Sequence, residues 1–268
     1  MQAVASALAI PALCASLLLT PSASASAGAS PVSSASDAHT RAPVPTVIRS
    51  TGAIEGDIDL FRALLGGSNN GATPGQQASG RREINWDGVP ANVTNVPDFP
   101  NAFFNTNSPR GLVYETQGTG LMVSDQSFAN VNPEYDGEFI PFSGHKTFSP
   151  IGTNATDIVF FVAGSNTKAA VNGIGVVFLD VDRIGQTSIE LLGQNGLKLG
   201  RFTAPIRSDR RGASFLGIVF RNPLITHVHI GTGDGRLAAN EVDIKQGGQH
   251  DLVVMDDLIY GEPKAIAP

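Results

Sequence analysis

The sequence predicts an all-β protein, a jelly-roll-like antiparallel β-sandwich with one short N-terminal helix, on three observations. The segment Asp251-Leu252-Val253-Val254-Met255-Asp256-Asp257-Leu258-Ile259-Tyr260 is apolar at both odd and even positions. Alternate side chains of a strand point to opposite faces, so Leu252, Val254, Leu258 and Tyr260 share one face with Asp256, and Val253, Met255 and Ile259 share the other with Asp257. A strand apolar on both faces is a central one. Short apolar runs recur along the chain with turn residues between them and no long helical period, which excludes a doubly wound α/β sheet. Charged residues make up 16% of the chain against roughly 25% in average soluble domains, a balance suited to a turn-rich β protein.

Taken in order, residues 3–19 are apolar, broken by Pro11, and followed by Pro21-Ser22-Ala23-Ser24-Ala25-Ser26-Ala27. This pattern reads as a secretory signal, residues 1–27, cut near Ala27, so the mature chain is expected to be extracellular with no membrane insertion. The one cysteine, Cys14, lies inside it, leaving the mature chain without a disulfide, a thiol nucleophile or a thiolate zinc site. Residues 28–50 are rich in Ser, Ala, Pro and Thr and read as a disordered linker. Asp57 to Gly66 has an acidic cap, apolar residues at helical spacing and a closing glycine, which predicts a short helix plugging one end of the sandwich.

The body is expected to start at Arg81–Asp87, with a Pro- and Asn-rich loop over residues 88–110. Further strands are predicted at 120–124, 138–142, 156–162, 173–182, 187–192, 197–203, 214–220 and 225–230. Asn195-Gly196 marks a tight hairpin between Leu192 and Leu197, because that pair tolerates positive φ. No fixed-period repeat occurs, so residues 51–268 form one sandwich domain.

Five stretches together, Gly80-Arg81-Arg82-Glu83-Ile84-Asn85-Trp86-Asp87-Gly88, Phe104-Asn105-Thr106-Asn107-Ser108-Pro109-Arg110-Gly111, Val177–Asp182, Ser214–Gly217 and Val254–Pro263, resemble a family of uncharacterised secreted bacterial β-sandwich proteins. More loosely, an early strand and a last strand bearing Asp-Asp are similar to jelly-roll carbohydrate-binding modules. That second resemblance implies first and last strands that pair, and a structural calcium near them.

Asp180 and Asp182 lie two apart at a strand end and project from one face, opposite Val177, Leu179 and Val181. With Asp256 and Asp257, and with Glu83 and Asp87 if the first body strand pairs with the last, they make a candidate calcium site of carboxylate oxygens. The competing reading is that arginines satisfy these acids, from Arg81, Arg82, Arg183 and Arg221. His227-Val228-His229 puts two imidazoles on one face of a strand. With Asp234 and His250 they form an alternative metal set resembling an incomplete cupin site. The glycine-rich Gly231-Thr232-Gly233-Asp234-Gly235 opens no helix and reads as a flexible loop, not a phosphate cradle. Trp86 and Tyr260 are expected in the core. Tyr114, Tyr135, Asp234 and Glu241 are the candidate ligand-binding residues.

Net charge of −6 with no basic block argues against nucleic acid and anionic membranes as partners. Gly-x-Ser-x-Gly and His-Glu-x-x-His are both absent. The sequence therefore points to a secreted, non-catalytic binding or cell-surface interaction module, for an extracellular carbohydrate or a surface protein, with calcium as its expected ion. Two alternatives stand beside it: a metal-dependent cupin-like enzyme built on the His-x-His pair, and an exported structural protein without a small ligand.

Overall fold

A computed structural model of the chain describes residues 43–207 and 212–267, which fall in one compact unit. The expected signal segment, and the linker up to residue 42, lie outside the described residues. The elements in order are β1 (Thr46–Thr51), α1 (Glu55–Leu65), β2 (Arg81–Ile84), α2 (Phe103–Thr106), β3 (Leu112–Glu115), β4 (Gly120–Ser124), β5 (Thr147–Ile151), β6 (Ala155–Phe160), β7 (Ala169–Ala170), β8 (Gly173–Leu179), β9 (Ser188–Leu192), β10 (Lys198–Thr203), β11 (Ala213–Val219), β12 (His227–Gly231), β13 (Val254–Gly261) and β14 (Lys264–Ala265).

One sheet runs β1-β11-β8-β13-β5-β4, with β2 also paired to β13; the other runs β10-β9-β12-β6-β3. All these pairings are antiparallel. The all-β sandwich is therefore as the sequence predicts. The last strand is central, every residue of β13 is buried, and the first body strand pairs with it through Leu258↔Ile84 and Tyr260↔Arg82. The Asn195-Gly196 hairpin joins β9 to β10, with φ of 57° and 73° at its two turn residues.

Two cores explain why β8 and β13 are apolar on both faces. Between the sheets, Ile174, Val176, Phe178, Leu216, Leu258 and Tyr260 meet Leu112, Ile158, Phe160, Ile189, Val228 and Ile230, with Trp86 stacked on Phe148 at 4.2 Å. Behind the larger sheet, Val177, Leu179, Phe215, Val219, Val254 and Ile259 pack against Ile58, Phe61 and Leu65 of α1 and against Phe128, Tyr135 and Phe139. The helix therefore covers a sheet face, where an end plug was expected. A Cβ at Gly175 or Gly217 would lie 2.7 Å from the Phe61 ring, so two strand glycines let the helix approach this closely. Asp57 does not cap the helix, which starts at Glu55; both acids lie in its first turn and favour its dipole.

Other expectations are corrected. β1 lies largely in the stretch read as linker: it pairs with β11 from Thr46↔Val219 to Thr51↔Ser214 and buries Ile48. Residues 138–142 form no strand, whereas Thr147–Ile151 does, despite Pro150. β3 lies just past the Pro- and Asn-rich loop and was not foreseen.

Strict alternation also fails at the two acids of β13. Met255 faces Phe178 and Leu258 faces Val176, so three steps on β13 oppose two on β8, a bulge. The extra residue reverses the phase: Val254 and Ile259 join the core behind the sheet, and Met255, Leu258 and Tyr260 the core between the sheets. Asp256 and Asp257 then reach the same loop. Asp256 Oδ2 accepts from the Phe142 and Ser143 amides at 2.5 and 3.3 Å, and Ser143 Oγ donates to Asp257 Oδ1 at 2.5 Å.

Candidate functional site

The carboxylates expected to form one cluster divide among several partners. Glu83 is held by Arg62 (2.8 and 3.2 Å) and Arg81 (2.6 Å), and Asp87 Oδ1 accepts from the His145 amide at 2.8 Å. Asp256 and Asp257 hold the 142–143 loop. Among the described residues, none of these four belongs to a group of acids close enough to share one ion. Burial and the neighbouring Asp257 charge push Asp256 up to about 8, which favours its protonated form at neutral pH. Arg82 pairs with Glu262, not with any expected acid; its Nε and Nη2 lie 2.8 Å from the two carboxylate oxygens, and its other bonds reach the carbonyls of Gly71, Thr73, Gly75 and Pro109.

Asp180 and Asp182 come together, but with three acids from elsewhere. Glu138, Asp180 and Asp243 place one oxygen each within 4.8 Å of one another, as do Asp182, Asp243 and Asp251. Asp180 takes φ of 66°, a left-handed conformation that turns the chain at the end of β8 and carries Val181 to the inter-sheet core. Asp243 accepts from the Lys245 and Leu252 amides at 2.7 and 2.8 Å, and Asp251 from the Asp182 and Arg183 amides at 3.2 and 2.9 Å. Burial, then the charges of Asp243 and Asp182, push Asp180 up to about 9; burial raises Asp251 to about 6. Sequence offered no signal for Glu138 or Asp243, because nothing in local spacing links a loop before β5 to the turn before β13.

The glycine-rich loop after β12 is packed and not free. Asp234 and Gly235 donate backbone N–H groups to the Asp251 carbonyl at 3.2 and 3.1 Å, and a Cβ at Gly233 would lie 2.0 Å from that carbonyl oxygen. Asp234 pairs with Arg183 and accepts from the Asp251 amide at 2.7 Å; burial opposes its ionisation, but these two contacts hold it below its usual range. Asp234, Arg236, Glu241 and His250, with Thr153 and Asn154, line a polar cleft of about 380 Å³.

The alternative metal set splits in two. His227 Nε2 and His229 Nδ1 lie 2.8 and 2.9 Å from the same oxygen of Asp157, whereas His250 Nδ1 lies 3.8 Å from Asp234. Asp157 was missed, although its place in the alternation Thr156-Asp157-Ile158-Val159 puts it outward beside the histidines. Tyr114 and Tyr135, expected at the surface, are buried at 1% and 0% exposure. Tyr114 packs beside Trp86 and Phe148, and the Tyr135 hydroxyl clasps the Ala238 backbone at 3.0 and 3.2 Å.

A wide concavity lies on the outer face of the five-stranded sheet. β3, β6, β9 and β12 each point inward and outward alternately, leaving Glu115, Asp157, Val159, Glu190, Leu192, His227 and His229 outward. Register aligns Glu115, Asp157, His229, Glu190 and Arg201 in one row, and Val113, Val159, His227, Leu192 and Lys198 in the next. Between this face, the 193–196 turn and the C-terminal Ile266-Ala267 lies a groove of about 860 Å³, lined by Glu115, Val159, Phe161, Lys168, Leu192 and His227 among others. No family model, no curated protein and no solved structure matches the chain.

Proposed function

We propose that the chain is a secreted, non-catalytic binding module that takes an extracellular carbohydrate in the groove across its five-stranded sheet. The observation that carries this reading is the groove itself: at about 860 Å³ it falls within the roughly 300–1,000 Å³ typical of ligand sites. Its lining joins an apolar floor of Val159, Leu192 and half-buried Phe161 to amide, hydroxyl, ammonium, carboxylate and imidazole groups from Gln194, Asn195, Thr167, Lys168, Glu115 and His227. Apolar patches meet the C–H faces of a sugar ring, while the polar groups exchange hydrogen bonds with its hydroxyls. His227 is pre-organised by Asp157, which lowers the ordering cost of binding. The leader-like segment before Ala27 supports export. A glycan array followed by calorimetry tests the reading. His227→Ala and Lys168→Ala should each weaken the best glycan by about ten-fold, the equivalent of one well-made hydrogen bond. An array with no bound glycan, or affinities unmoved by both substitutions, sinks it.

A further inference from the structure

The acids around Asp180 raise a question independent of the groove. Asp180 is 0% exposed, and neither of its carboxylate oxygens has a hydrogen-bond partner among the described residues. The side chains facing it are acids as well: Asp243, Asp182 and the Glu138 carboxyl. A buried carboxylate with no donor is unstable unless a proton or a cation compensates it. Its surroundings are rich in oxygen: the Gln246 amide oxygen is also buried without a partner, and Asp243 keeps lone pairs beyond its two backbone bonds. Asp182 lies beside them with Lys245 Nζ at 3.0 Å from its Oδ1.

We infer that Glu138, Asp180 and Asp243, flanked by Asp182 and Asp251, form a binding site for a hard divalent cation, calcium by donor type and spacing. Oxygens sharing a calcium at about 2.3–2.6 Å are at most about 5 Å apart, and each acid trio meets within 4.8 Å. The donors are all oxygen, with no imidazole or thiolate, which disfavours zinc and copper. They come from the 136–142 loop, the end of β8 and the turn before β13, a spread that favours the larger, geometrically tolerant ion over magnesium. Lys245 offsets one of the negative charges from a half-exposed position, so it is a tethered competitor of the ion. A filled site clamps together three segments that also meet in the core behind the larger sheet through Phe139, Leu179 and Leu252.

The test is thermal unfolding of the full chain at matched ionic strength in EDTA, in about 10 mM magnesium and in about 10 mM calcium, with calcium calorimetry alongside. With a Kd in the 10⁻⁴–10⁻³ M range of extracellular modules, calcium should raise the midpoint by about 3–10 °C and magnesium by clearly less. Lys245→Met should tighten calcium about ten-fold by removing a nearby positive charge, and Asp180→Asn should abolish the response. Lys245→Met and the wild type decide the matter if Asp180→Asn does not fold. A midpoint indifferent to calcium in both the wild type and Lys245→Met overturns the inference, as does a full calcium response in folded Asp180→Asn.

Discussion

At the residue scale, the buried polar groups divide into those the fold has paired and those it holds by protonation. Arg82 and Glu262 are 0% and 2% exposed at their side chains, with every guanidinium nitrogen bonded. Removing one partner strands the other: Arg82→Met should cost about 3–5 kcal/mol in urea unfolding, far more than the same change at exposed Arg236. Asp256 behaves in the opposite sense. Its folded value, about 8, lies above the roughly 3.9 of an unfolded Asp, so the folded state holds a proton the unfolded chain has lost. That contribution is complete below about pH 4 and lost as pH rises through about 8. Asp256→Asn, which offers an amide where the proton sits, should lose less thermal stability between pH 5 and 9 in EDTA than the wild type. Parallel losses would show that Asp256 is not the group holding the proton.

Among the elements, helix α1 depends on what two strands lack. Gly175 and Gly217 open a slot for Phe61, whose ring meets Phe215 edge-on at 5.5 Å. Valine is the better strand residue by intrinsic preference, so strand propensity and packing predict opposite signs for Gly217→Val. Packing wins here because the added carbons meet a ring already in contact: the expected loss is about 1–3 kcal/mol. In combination with Phe61→Ala the loss should shrink, a coupling that a double-mutant cycle in urea measures directly. The bulge in β13 is the other decisive element. One inserted residue turns adjacent acids toward a single loop and exchanges the faces of every residue after it.

For the whole molecule, β1 closes one edge of the larger sheet, since its six residues pair along the length of β11 and bring Ile48 down onto the outer core. A chain beginning at residue 52 would expose the β11 edge. It should lose at least about 2 kcal/mol from Ile48 burial alone, and should associate with itself in concentration-dependent sedimentation. If it matches the longer chain in stability and stays monomeric, β1 is dispensable and the edge is protected by other means.

The pattern of residues along the chain was enough to determine the all-β class, the central place of the last strand, the Asn195-Gly196 hairpin and the shared face of His227 and His229. Each of these rests on period-two alternation or on turn chemistry, which act over a few residues and leave a local trace. Only the tertiary structure decided which acids meet. Glu83 went to Arg62 and Arg81, Asp256 and Asp257 to the 142–143 loop, and Asp180 and Asp182 to Glu138, Asp243 and Asp251. Those outcomes depend on a bulge, on a left-handed residue at Asp180 and on loops brought together from far apart in the chain. No local periodicity encodes such long-range encounters, because they are set by how the two sheets and their covering helix pack.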